Sequence, residues 1–146
     1  MRSITPVLIM LLLSLVSYGQ VESPFKKIKS TSQFPDLKKA LILQLKSNYT
    51  SSVHQQKSTQ LRMSLPTAEG ILLDIILDEV ELFAEGFVLI EKNKSGEFKT
   101  SLPTAKYFSG QIVGNKESLV SLSIYKNEIS GVIRTKNAVY NIGKYQ

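Results

Sequence analysis

From Tyr107 to Ile142 the chain alternates apolar and polar residues in four short runs: Tyr107 to Val113, Leu119 to Tyr125, Ile129 to Thr135 and Ala138 to Ile142. Gly114-Asn115-Lys116, Lys126-Asn127-Glu128 and Lys136-Asn137 separate them. A side-chain period of two puts Val120, Leu122 and Ile124 on one face of a strand and Ser121 and Ser123 on the other, the pattern of a half-buried antiparallel strand. Connections this short join only strands that lie side by side and run in opposite directions, so the last third of the chain predicts a β-meander.

The same period extends upstream. Leu61-Arg62-Met63-Ser64-Leu65 alternates, and Ile71 to Leu77 is an apolar run interrupted once, by Asp74. Phe87 to Lys92 leads into the turn Asn93-Lys94-Ser95-Gly96, and Glu97 to Thr100 returns as its partner strand. The expected fold is mainly β, an antiparallel sandwich or partly open barrel with a C-terminal meander and one short N-terminal helix. That helix is expected within Phe34 to Lys46, where Leu37, Ala40, Leu41 and Leu45 have helical spacing and Pro35-Asp36 suits a first turn. Leu41-Ile42-Leu43 equally suits a strand. Residues 20–33 are polar and aperiodic and predict a flexible N-terminal lead-in, while Asn48 to Gln60, rich in Ser, Thr and Gln, predicts a loop or irregular edge.

The N-terminus has the form of a secretory signal. Met1-Arg2 is a short positive start, Val7 to Val16 (VLIMLLLSLV) is the apolar stretch, and Ser17 and Gly19 place small residues before a cleavage site at Gly19-Gln20. The apolar stretch lies between Pro6 and Ser17, short of the roughly 18–20 residues a spanning helix needs. Residues 1–19 are therefore expected to be removed, leaving an exported chain with no membrane span. Residues 34–146 then form one β domain, large enough to bury about two-thirds of its unfolded surface. No cysteine is present among the 146 residues, so disulfides, thiolate zinc ligands and thiol catalysis are excluded.

The net charge of +6 is carried mostly by lysines dispersed among glutamates and asparagines, with Arg62 and Arg134 the only arginines after the signal. Nucleic-acid binding favours arginine forks clustered with stacking aromatics, so no nucleic-acid partner is expected. The one local cluster, Lys26-Lys27-Ile28-Lys29, falls in the lead-in.

Chemistry-bearing motifs are sparse. His54 is the only imidazole and is followed by Gln55-Gln56, which rules out a His-Glu-x-x-His zinc motif, and it is expected to be a surface-loop residue. No Gly-x-Ser-x-Gly elbow and no glycine-rich phosphate loop occur. Asp74, Asp78, Glu79 and Glu81 form an acidic cluster in which alternation sets Asp74 and Asp78 on one strand face. They are expected to be a polar strand end rather than a calcium site or acid pair. No catalytic residue, cofactor or metal is expected. Gly110, Gly114 and Gly131 invite a structural reading, with close backbone approach, positive φ or a bulge at each.

Phe108-Ser109-Gly110-Gln111-Ile112-Val113-Gly114, then Ser118-Leu119-Val120-Ser121-Leu122-Ser123, then Gly131-Val132-Ile133, then Tyr140-Asn141-Ile142 stand in an order that resembles the propeptide of reprolysin-type (adamalysin, ADAM-like) zinc metalloproteases. In that family an aromatic-x-Gly-x-Val-x-Gly segment precedes Ser-x-Val-x-Leu-Ser, Gly-x-Ile and Tyr-x-Ile strands. Leu72 to Ile75 and Leu82 to Val88 are similar to the family's preceding strand pair, so the resemblance covers about residues 60–143.

It implies structural roles for Phe108, Gly110, Gly114, Ser118, Val120, Leu122, Ser123, Gly131, Ile133 and Tyr140. It also implies a partner, the metalloprotease catalytic domain of the same precursor, held inactive and helped to fold. Many members place a zinc-binding cysteine near the end of the propeptide. This chain has none, which leaves occlusion and chaperoning as the mechanism. A secreted β-domain binding a protease in trans, and a ligand-binding barrel with an apolar pocket inside the sheet, are the alternative expectations.

Overall fold

The computed structural model describes residues 21–28 and 39–144. The expected signal, its cleavage site at Gly19-Gln20 and residues 34–38 of the expected helix lie outside them. The elements in chain order are β1 (Phe25–Lys27), β2 (Leu43–Leu45), α1 (Tyr49–Gln55), β3 (Gln60–Pro66), β4 (Leu72–Val80), β5 (Leu89–Asn93), β6 (Gly96–Thr100), β7 (Ala105–Ile112), β8 (Asn115–Tyr125), β9 (Ile129–Arg134) and β10 (Val139–Ile142).

Six strands form one antiparallel sheet in the order β10-β9-β8-β7-β4-β3, curled into a half-barrel, so the partly open barrel is the form the chain takes. The C-terminal meander stands as expected, from β7 to β10. The β5–β6 hairpin is a separate two-stranded sheet inserted between β4 and β7.

The alternation read from the sequence becomes rows of residues across the sheet. One row runs Leu61, Leu77, Gly110, Val120, Ile133, Tyr140 from β3 to β10. The next runs Glu79, Phe108, Leu122, Gly131, Ile142. These rows face the core, where Met63, Ile75, Leu77, Phe108, Val120, Leu122, Ile124 and Ile133 are almost fully buried. Each such side chain contributes about 1.5–3 kcal/mol when withdrawn from water.

The two glycines in these rows permit the curl. A Cβ on Gly110 would run into the Ile76 carbonyl and stand 2.9 Å from Leu77 Cα. Gly131 has φ +154°, and a Cβ there would meet the Ser121 carbonyl and Leu122 Cδ2 at 2.8 Å. Bare backbone at these points lets β7 close on β4 and β9 close on β8.

Four N-terminal expectations are corrected. The segment Leu43–Leu45 is a strand, the alternative open for Leu41-Ile42-Leu43, and not the end of a helix, and it pairs with β1 in the register Phe25↔Leu45. Part of the supposed lead-in is therefore ordered, with Pro24 buried and Phe25 and Leu45 packed against the core. The helix lies instead at α1, inside the stretch expected to be a loop. Tyr49, Thr50 and Val53 are its buried face, and the Thr50 hydroxyl donates to the Lys126 carbonyl at 2.5 Å. His54 is not a loop residue. It is half-buried in α1, and its Nε2 donates to the Ile124 carbonyl at 3.1 Å, which helps to seat the helix on the end of the sheet.

Candidate functional site

The residues singled out by the family resemblance converge on the two core-facing rows. Gly110, Val120, Ile133 and Tyr140 belong to one row, and Phe108, Leu122 and Gly131 to the adjacent one. Ser123 lies on the opposite face, opposite Tyr107 in β7. Gly114, at φ +79°, makes the β7–β8 turn, and Ser118 pins it: its hydroxyl accepts from the Ile112 N–H at 2.8 Å and donates to the Asn115 carbonyl at 2.6 Å. The ladder between β7 and β8 is irregular from Gly110 to Ile112, and Ser118 supplies the partner that the Ile112 amide needs there. These side chains build a scaffold.

The acidic cluster serves the sheet as well. Asp74 and Asp78 share the face opposite the core. Asp74 accepts from the Ser64 hydroxyl and Asp78 Oδ1 accepts from Gln60 Nε2 at 3.1 Å, so both carboxylates are bound by β3. Glu79 points inward and pairs with Lys106 at 3.0 Å, with only 27% and 20% of the two side chains exposed. Among the described residues no group of three or more His, Cys, Asp or Glu is placed to hold a metal ion.

Surface chemistry concentrates at the ends of the sheet. At the β3 edge, the N-terminal segment lies alongside: the Glu22 carbonyl accepts the Ser64 N–H at 3.3 Å, and Pro66 carries no N–H at all. Beside this edge burial pushes the Tyr49 hydroxyl up to about 12, with the Glu22 carboxylate adding to the shift.

At the other edge, the Thr135 N–H donates to the Ala138 carbonyl at 2.8 Å. In an antiparallel ladder hydrogen-bonded pairs alternate, so the next are Ile133–Tyr140 and Gly131–Ile142. Val139 and Asn141 therefore turn their N–H and C=O groups away from β9, and no described strand takes them up. Beside them lies an open groove of about 870 Å³, lined by Glu117, Leu119, Arg134, Lys136 and Val139 among others. Leu119 and Val139 expose 53% and 59% of their surface into solvent there.

The β5–β6 hairpin is a second apolar surface. Ile90 and Phe98 are exposed, and the Asn93 side chain accepts the Ser95 N–H at 2.7 Å in its turn. Its base is tied to the sheet through Phe83, whose ring meets Tyr107 edge-on at 5.6 Å and Phe87 at 4.9 Å. The inner face of the half-barrel carries packed core side chains such as Met63 and Phe108.

Sequence alternation set Val120 and Leu122 on one face of β8, whereas the rows across neighbouring strands emerge only with the register, and the open edge was legible only in part. Ala138 to Ile142 is read as a strand from its pattern, whereas its outward hydrogen-bond phase follows from the turn at Thr135 and Ala138. Comparison with protein-family models, curated protein sequences and solved structures gave no match.

Proposed function

We propose that this chain is the propeptide domain of a secreted reprolysin-type zinc metallopeptidase, acting as intramolecular inhibitor and folding aid. The observation that carries the reading is the coincidence of seven motif residues with two adjacent rows across β7 to β10. An ordered set of weak motifs that packs as one unit is what a shared fold requires.

The mechanism is steric. Without a cysteine the chain offers no thiolate to a catalytic zinc. A domain tethered by a short linker has an effective concentration that can reach millimolar, so a modest interface keeps a cleft occupied until the tether is cut. The open edge at β10 and the apolar β5–β6 hairpin are the surfaces with unused binding capacity, one in backbone hydrogen bonds and the other in apolar area.

On this reading a protease domain follows Gln146 in the same frame, and the test is to express that domain with and without this chain. Expected is a soluble, latent enzyme with it, and low soluble yield with unrestrained activity without it. Equal yield and equal activity in both forms would overturn the reading.

A further inference from the structure

The open edge also carries information about what binds it. β10 itself is uncharged, with the sequence Val139-Tyr140-Asn141-Ile142, yet it is bracketed by Lys136 and Lys144, and Arg134 stands opposite Val139 on β9. Among the described residues the four ion pairs involve none of these three cations. Lysines flanking an edge strand oppose pairing with a like-charged strand. A second copy of this chain is such a strand: antiparallel self-pairing centred on Tyr140 sets Lys136 of one copy beside Lys144 of the other. The same bracket favours a strand with acids at its ends, since opposite charges across a ladder attract and like charges repel.

We propose that β10 accepts a further strand from a partner polypeptide, an extended segment uncharged at its centre and carrying Asp or Glu at its ends. The outward N–H and C=O groups of Val139 and Asn141 supply the backbone hydrogen bonds of strand addition. On the core side, the added strand continues the half-buried row ends Tyr140 and Ile142, and there it presents apolar residues. On the other face it lies along the groove beside Val139 and Leu119, where Arg134 and Lys136 outnumber Glu117. The proposal rests on the propeptide reading only for which molecule supplies the segment.

The experiment is an NMR titration of the 15N-labelled protein with two synthetic peptides. Both have the core Thr-Val-Thr-Val, one with Glu-Glu at each end and the other with Lys-Lys. The acidic peptide is expected to shift the Val139 and Asn141 amides, to bind about tenfold more tightly than the basic one, and to lose that advantage at high salt. Asn141→Pro, which removes an outward N–H, is expected to abolish the response while a thermal melt shows the domain still folded.

Equal shifts from both peptides, shifts confined to other surfaces, or none at all would overturn the proposal. So would shifts at Val139 and Asn141 that depend on protein concentration without peptide, which would make a second copy the occupant. None of these outcomes bears on latency, so failure here is distinct from failure of the propeptide reading.

Discussion

The two edges of the sheet solve the same problem in opposite ways. β3 is covered by the protein's own N-terminal segment, through the Glu22 carbonyl, and is blunted by Pro66. At β10, Val139 and Asn141 keep their outward backbone groups, and two lysines guard the ends. An unpaired edge is a liability that folded proteins normally cover or charge. Among the described residues, one edge closed by the chain and the other carrying only like-charge guards make a polarised sheet, anchored at β3 and open at β10.

The largest effect that tests this comparison comes from the seam holding β10 in place. Gly131→Val forces a branched side chain into the β8 backbone at a φ that valine rarely adopts, and is expected to cost about 3 kcal/mol or more in urea unfolding. Wild-type stability in this variant would remove the close approach as the cause of the curl.

Prolines distinguish the edges directly. Ser64→Pro deletes an N–H already bonded to Glu22 and the hydroxyl bonded to Asp74, and is expected to cost about 2–3 kcal/mol. Asn141→Pro deletes an N–H that bonds nothing in the sheet and is expected to cost under about 1 kcal/mol. Equal losses in paired chemical melts would make the edges energetically equivalent.

Alkali should loosen the closed edge. With the Tyr49 hydroxyl raised to about 12 in the folded state, mainly by burial, an unfolded chain ionises it first, near 10. The folded state then binds more protons than the unfolded one, and stability falls as pH rises from about 10 to about 12. The contribution is on the order of 2 kcal/mol and is fully present below pH 10. Tyr49→Phe is expected to flatten that part of the stability profile, and an unchanged slope in the variant would assign the loss to other groups.

The smallest effect on stability belongs to the guard charges. The double variant Lys136→Glu with Arg134→Glu is expected to change stability by under about 0.5 kcal/mol. It also leaves an acid at one end of β10 and Lys144 at the other, so self-pairing becomes complementary. Sedimentation is then expected to show stronger association than in wild type, and a variant no more associated than wild type would remove the guard role.

What the sequence revealed follows the length of each element. β7 to β10 are long enough for period two to show, and Val120, Leu122 and Ile124 face the core as alternation requires. β1 and β2, at three residues each, hold no period, and their pairing depends on contact between segments far apart in the chain. The helix was hidden because α1 has only Tyr49 and Val53 as large apolar residues among serines, threonine and glutamine. Their spacing of four was the available signal. The place of β4 beside β7 was not legible, since the hairpin between them pairs only with itself. Asp74 and Asp78 were set on one face by alternation, but their partners Ser64 and Gln60 emerged only with the register of β3 against β4.

The most direct test of the propeptide assignment is to read the coding frame beyond Gln146 in the source DNA. The expected frame continues through a short linker into a domain bearing His-Glu-x-x-His and a third histidine. A stop codon immediately after Gln146 would contradict it.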